Sequence, residues 1–169
     1  YTSVKYLCYP LKKVLRLTLF IALMTPLSTY SDISKAFPDM TDVFENVGFY
    51  NETNQLVKFE EYKDKVLLIF FGYTHCPDVC PTTVLDMARV LKGLGDSSKD
   101  VLPIFISVDY MRDDQEKVRR YVDFFDERIA ALTSDKENID KLTKFFKTKY
   151  ELVEPEKPGY LVEHSSNIY

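Results

Sequence analysis

The chain has 169 residues, of which 46% are hydrophobic and 28% charged, so it is long enough for one globular domain and too apolar to be a disordered chain. Its formal net charge of −4 argues against a general nucleic-acid binder. Three cysteines are too few for a scaffold held together by disulfides.

The positive charge is concentrated at the beginning of the chain. Four basic residues and no acidic ones fall within residues 1–16, and the remaining 18 basic and 26 acidic side chains leave a net charge of −8. An apolar run of 11 residues follows at 17–27. This order is typical of a secretory signal or an N-terminal membrane anchor, and we interpret residues 1–31 as one of the two. A buried amphipathic helix of a cytosolic domain is the alternative.

The segment after this run is interpreted as a linker over 32–43, followed by a single domain over 44–169. Loose alternation in residues 44–49 and 56–59, with turn residues between them, predicts a small β-hairpin at the start of the domain. Residues 66–71 form a continuous apolar run, which predicts a strand buried on both faces.

Helices and strands then alternate along the chain. In order, we predict a helix opening at Thr82 or Thr83, a strand over 101–108, a helix capped by Asp113 or Asp114, a helix after Ser134 and a short strand over 150–153. This alternation predicts an α/β fold with right-handed crossovers.

Two cysteines lie in the loop between the first buried strand and the first helix. Ligands bind outside the carboxyl ends of strands in open α/β sheets, and a helix N-terminus favours the thiolate form of cysteine. Cys76 and Cys80 are four positions apart, so both sulfurs can share one face of a helical turn, within reach of one metal ion or of a disulfide. Two thiolates suit Cu(I), and also Zn or Cu(II) when an imidazole joins them.

The remaining cysteine and the two histidines are interpreted from their positions in the chain. Cys8 precedes the apolar run, and we assign it no function. His75 adjoins Cys76, so its side chain is expected to project away from the two sulfurs. His164 follows a loop rich in proline and glycine at 154–159 and could complete a Cys–Cys–His set. Spacing alone does not distinguish that role from an ordinary surface histidine.

Three motifs in order resemble the Sco/SenC family of copper-binding proteins, which assist the assembly of cytochrome c oxidase. Residues 70–82 (FFGYTHCPDVCPT) are similar to the metal loop of that family. Residues 107–113 (SVDYMRD) resemble its second motif and residues 160–166 (YLVEHSS) its third. Three positions depart from the family pattern: Tyr110 stands for proline, Asp114 for threonine and Glu163 for aspartate.

The resemblance implies a thioredoxin-like fold, with Cys76, Cys80 and His164 as copper ligands. It places Asp109 near the metal, where it supports the site or contacts a partner. Family members continue beyond the third motif with a further strand and a helix, so we expect a chain truncated at the C-terminus.

The function implied is that of a metallochaperone that carries one copper ion and assists assembly of the CuA centre in subunit II of the oxidase. An upstream copper donor would load the metallochaperone. The alternative is a thiol–disulfide oxidoreductase in which Cys76 and Cys80 reduce the cysteines of that centre, so enzymatic activity stays open. A thiol peroxidase lacks a supporting motif.

We expect the domain to be attached to the membrane through the N-terminal segment and to face the bacterial periplasm, or to be exported to the periplasm. The alternative is the mitochondrial inner membrane, facing the intermembrane space.

Overall fold

The computed structural model describes residues 47–50, 55–57 and 62–169, which all belong to one unit, Asp39–Tyr169. The predicted signal or anchor at 1–31 and the linker at 32–43 lie outside the described residues. No helix within the described ranges is long and apolar enough to cross a membrane.

A parallel three-stranded sheet forms the centre of the described domain. Its strands are β1 (Val66–Gly72), β2 (Val101–Ser107) and β3 (Ala130–Leu132), with β2 in the middle. β1 and β2 pair over their full length, and their central residues are almost completely buried. The continuous apolar runs therefore form strands covered on both faces, as predicted. β3 was not predicted, because three residues are too few to show a periodic pattern.

Three α-helices alternate with these strands. They are α1 (Val79–Leu94), α2 (Gln115–Asp123) and α3 (Lys136–Phe145), and a 3-10 helix over Gly95–Asp100 leads from α1 into β2. Asp114 caps α2 by accepting a hydrogen bond of 2.8 Å from the backbone N–H of Lys117. Asp135 caps α3 in the same way through the N–H of Asn138, at 2.9 Å.

One predicted helix start differs from the structure. α1 begins at Val79 rather than at Thr82 or Thr83. Pro81 did not prevent this earlier start, because it falls in the first turn, where a missing N–H breaks no helical hydrogen bond. α3 follows Ser134, as predicted, and the hydroxyl of Ser134 donates to the carbonyl oxygen of Gly48.

The predicted N-terminal hairpin is confirmed where the structure describes it. Tyr50 forms an antiparallel bridge with Leu56, and the N–H of Val57 donates to the carbonyl of Phe49 at 2.8 Å. Tyr50 also bridges Thr133, immediately after β3. The hairpin is therefore joined to the β3 side of the sheet.

A second antiparallel hairpin carries the last of the predicted ligands. β4 (Tyr150–Val153) pairs with β5 (Leu161–His164), and together they form a two-stranded sheet of their own. β4 was predicted, whereas β5 was read only as the segment bearing His164. After β5 the chain reaches β1, where Tyr169 exchanges two backbone hydrogen bonds of 2.9 Å with Ile69.

Candidate metal centre

The connection from β1 to α1 places both thiols. Cys76 lies in the loop and is half-buried, while Cys80 is the second residue of α1 and is fully buried. The backbone N–H of Cys80 donates to the sulfur of Cys76 at 3.4 Å. Both thiols are free, so the turn presents two unpaired sulfurs at the carboxyl end of β1.

Gly72 allows the buried thiol to pack directly against β1. A Cβ atom at this position would lie 3.0 Å from the sulfur of Cys80 and 2.8 Å from Cε2 of Phe105. Real Cβ atoms essentially never show a contact as short as the one with Phe105, and the contact with the sulfur is tighter than nine in ten. Glycine is therefore required here by the ring of Phe105, with the thiol adding to the crowding.

His164 reaches the thiols from the end of β5. Its Nε2 atom lies 3.2 Å from the sulfur of Cys80, and its Nδ1 atom lies 3.0 Å from the carbonyl oxygen of Ser165. A carbonyl can only accept, so this contact assigns the proton to Nδ1 and leaves the lone pair of Nε2 facing the sulfur. The rings of Tyr73 and Phe70 contact the imidazole edge-on, with centroids 5.7 and 6.0 Å away.

The fold brings together three of the four predicted site residues. One ligand atom each from Cys76, Cys80 and His164 lie within 4.8 Å of one another. The fourth residue, Asp109, falls in a neighbouring group with His75 and Asp113. The geometry therefore separates a thiol–imidazole cluster from a second group, which consists of two carboxylates and His75.

Burial and backbone amides set different pKa values for the three side chains of the cluster. Burial strongly raises the pKa of the Cys80 thiol. Burial also acts to raise the pKa of Cys76, but the N–H groups of Asp78, Cys80 and Val79 outweigh it, and the net pKa is lowered. Burial lowers the pKa of His164, which keeps its imidazole neutral. The site thus presents the nitrogen in its metal-binding form.

This donor set has a definite chemical preference. Two sulfurs and one imidazole nitrogen form a soft site that fits Cu(I), and the same ligands also accept Cu(II) or Zn. Binding of a metal ion would remove the proton from Cys80, because a coordinated thiol is deprotonated outright.

Asp113 fixes the loop that carries Cys76. Its buried carboxylate accepts hydrogen bonds from the N–H of Thr74 at 2.8 Å, from the Thr74 hydroxyl at 2.6 Å and from the Ser107 hydroxyl at 2.6 Å. The sequence had offered Asp113 as a helix cap, a role that Asp114 fills. His75 is not part of the thiol–imidazole cluster, and its Nδ1 atom lies 3.6 Å from an oxygen of Asp113.

Asp109 is held inside the protein by two partners. Its carboxylate accepts a hydrogen bond of 2.6 Å from the Tyr160 hydroxyl and one of 2.5 Å from Nε of Arg112. Its side chain is completely buried. Tyr160 was not singled out from the sequence, although it opens the third motif.

The sequence of this chain matches a family model and is similar to known proteins. The SCO1/SenC family model matches residues 38–169. An SCO2-like protein of Rickettsia felis is 29% identical over 155 residues, which cover 90% of this chain and 76% of that protein. Protein SenC of Rhodobacter capsulatus is 34% identical over 119 residues, covering 70% of this chain and 54% of SenC.

Solved structures of ScoI proteins have a fold similar to that of this chain. ScoI of Bradyrhizobium japonicum with copper bound superposes with a TM-score of 0.67 at 34% identity, covering 73% of this chain and 78% of the other. ScoI of Arabidopsis thaliana with copper bound gives 0.67 at 32% identity, with coverage of 73% and 77%. The mixed α/β, thioredoxin-like fold expected from the sequence is confirmed.

Proposed function

Because this chain belongs to the SCO1/SenC family, we propose that it binds one copper ion through Cys76, Cys80 and His164 and delivers it during assembly of cytochrome c oxidase. The observation that carries the proposal is the convergence of two sulfurs and one imidazole nitrogen within 4.8 Å. Such a soft donor set suits Cu(I). Relatives of similar fold have been solved with copper bound.

Delivery requires that a recipient reach the metal. Cys76 is the more exposed of the two thiols, and its loop borders a groove together with Pro77, Leu161 and Glu163. A recipient thiol would approach here and replace the ligands one at a time. The recipient we propose is the CuA centre of oxidase subunit II, after loading of this chain by an upstream copper donor.

The proposed location follows from the N-terminal segment. Basic residues before an apolar run direct the following domain across a membrane. Relatives include bacterial SenC, a mitochondrial SCO1 homolog of Homo sapiens and a Bacillus anthracis protein described as a lipoprotein. We place this domain on the outer side of a bacterial inner membrane or in the mitochondrial intermembrane space.

A copper titration tests the ligand set. The whole chain is titrated with Cu(I) against a competing chelator, beside the variants Cys76→Ser, Cys80→Ser and His164→Ala. We expect one copper per chain, and a loss of affinity of about 100-fold or more in each variant. His75→Ala is the matched control, since His75 adjoins Cys76 but lies outside the cluster, and it should change affinity by less than about threefold. Unchanged affinity in His164→Ala would remove this histidine from the site.

A second candidate function is supported by the difference in accessibility and pKa between the two thiols. Cys76 is the more accessible and has a lowered pKa, whereas Cys80 is buried and has a raised one, an asymmetry suited to thiol–disulfide exchange. The Cys76 thiolate would attack a partner disulfide and release one partner thiolate. Cys80 would then displace the second partner thiol as its own proton leaves, so that two electrons pass to the partner and a Cys76–Cys80 disulfide forms.

The two functions differ in their need for the imidazole. Reduction of a CuA-type disulfide that persists in His164→Ala, while copper binding is lost, would favour the oxidoreductase. Loss of both activities would favour the copper carrier. The contact between His164 and Cys80 at 3.2 Å makes the copper carrier our first choice.

A further inference from the structure

The hairpin that carries His164 has no strand pairing with the central sheet. Within the described residues, β4 and β5 pair only with each other, and β1, β2 and β3 form a separate sheet. Beyond β5, Tyr169 exchanges two backbone hydrogen bonds with Ile69 of β1, which ties the far end of this segment to the sheet. Among the described residues, no backbone pairing ties the start of β5 to the central sheet, so side chains must supply that connection.

Arg112 makes this connection from the loop that follows β2. Its Nη1 atom donates to the carbonyl oxygen of Tyr160 at 2.7 Å, and its Nε atom donates to Asp109 at 2.5 Å. Its guanidinium carbon also lies 3.5 Å from the centroid of the Tyr160 ring. Tyr160 closes the network by donating from its hydroxyl to Asp109 at 2.6 Å. We call these three residues, Asp109, Arg112 and Tyr160, the clamp.

The clamp acts on both sides of the metal centre. Tyr160 immediately precedes β5, and His164 is the last residue of that strand, so fixing Tyr160 sets the origin of a short, extended segment. On the other side, the guanidinium lies 5.8 Å from the ring of Tyr73, which itself contacts the imidazole of His164 edge-on. One arginine thus contacts the start of the histidine strand and the start of the cysteine loop.

From these contacts we propose that Arg112 is a positioning residue, which holds the His164 imidazole over the thiols by tying β5 to the loop after β2. Arg112 is not a ligand, because its guanidinium stays protonated and offers no lone pair to a metal ion. A lysine cannot replace it: a single ammonium lacks the planar fork that reaches Asp109 and the Tyr160 carbonyl together, and it stacks less well on a ring.

Hydrogen exchange of the metal-free chain tests the clamp without reference to copper. The variant Arg112→Lys should speed the exchange of β5 amides about tenfold, and leave those of β1 and β2 unchanged, because only the attachment of the hairpin is weakened. Arg119→Lys is the matched control. Arg119 is 18% exposed against 19% for Arg112, and it too bonds an aspartate, Asp123, and a distant carbonyl, that of Ile129. It should leave β5 exchange as in the parent.

Copper affinity gives the second readout, which rests on the proposed function. Arg112→Lys should weaken Cu(I) binding about tenfold in the parent chain, and by less than about twofold in the His164→Ala background, because the clamp acts through His164. A general structural role would weaken binding equally in both backgrounds. The absorption of the Cu(II)-loaded chain should likewise shift with Arg112→Lys and not with Arg119→Lys.

The outcomes test the positioning role of Arg112 and the proposed copper ligands separately. Unchanged β5 exchange in Arg112→Lys overturns the clamp, and so does an equal loss of copper affinity with and without His164. If His164→Ala itself leaves copper affinity unchanged, the proposed ligand set fails, while the exchange experiment still judges whether Arg112 holds the hairpin. Should Arg112→Lys fail to fold, Tyr160→Phe removes only the bond to Asp109 and should speed β5 exchange in the same direction.

Discussion

The Nε2 atom of His164 lies 3.2 Å from the sulfur of Cys80, although 84 positions separate the two residues in the chain. The thiol is placed by the core, because Cys80 sits in the first turn of α1 against β1. The imidazole is placed by a hairpin with its own two-stranded sheet. The site therefore depends both on packing under the thiol and on the attachment of the hairpin, and the predictions below test these dependences separately.

Gly72→Ala should destabilise the protein and disturb the thiol. A methyl group here would press on Cys80 and Phe105, at 3.0 and 2.8 Å, so we expect a loss of about 1–3 kcal/mol in unfolding free energy. Urea unfolding of the metal-free chain measures it. Gly93→Ala is the matched control, because a Cβ there meets no atom within 4 Å and glycine is unfavourable inside a helix; it should stabilise by about 0.5–1 kcal/mol. A tolerated Gly72→Ala would show that the packing at Cys80 is loose.

The two thiols should differ in reactivity. Cys76 is half-buried with a lowered pKa, and Cys80 is fully buried with a raised pKa, so iodoacetamide should modify Cys76 at least about tenfold faster near neutral pH. Peptide mapping by mass spectrometry separates the two sites from each other and from Cys8. Equal rates would mean that the buried thiol is exposed by motion of the loop or of the hairpin.

The stability of the metal-free protein should fall as the pH is lowered through the range of histidine. Burial lowers the pKa of His164 below its ordinary 6.5, so the unfolded chain takes up this proton at a higher pH than the folded one. The stabilisation is thus complete above the unfolded pKa, and is lost as the pH falls from there toward the folded pKa. Urea unfolding between about pH 7 and pH 5 measures it, and His164→Gln should flatten the dependence. The same slope in parent and variant would assign the effect to another group.

Asp113→Asn should weaken the loop that carries Cys76. Both carboxylate oxygens accept hydrogen bonds, from Thr74 and from Ser107, and an amide cannot accept at both atoms. We expect a loss of about 1–3 kcal/mol in unfolding free energy and a reduced affinity for Cu(I). Asp86→Asn, at an exposed ion pair with Arg89, should cost less than about 0.5 kcal/mol. Equal effects of the two substitutions would deny Asp113 any special role.

The sequence predicted the parts of the fold that have a strong local signal. β1 and β2 are uninterrupted apolar runs, and Asp114 is a residue type that commonly caps helices. The start of α1 was misjudged because Thr82 and Thr83 are of a residue type that commonly begins helices, whereas the helix starts before Pro81, which is compatible with the first turn. β3 escaped prediction because Ala130, Ala131 and Leu132 are held in the sheet by their neighbour β2 rather than by any pattern of their own.

The site was predictable in its thiols and less so in its remaining parts. The four-residue spacing of Cys76 and Cys80 predicts that both sulfurs share one face of a helical turn. His164 was assigned as a ligand only through the resemblance to a family. The hydrogen bond from Tyr160 to Asp109 could not be predicted from the sequence, because it spans 51 positions. Contacts between distant loops depend on how the elements pack together, and no local pattern encodes them.

The separate sheet of the β4–β5 hairpin has a consequence for opening motions. Segments held by few contacts open at a lower free energy than the core of a domain. Opening of this hairpin would withdraw the imidazole while β1 and α1 keep the two sulfurs in register. Such an opening would convert a site with two sulfurs and an imidazole into one with two solvent-exposed thiols, while the pairing of β1 with β2 stays intact.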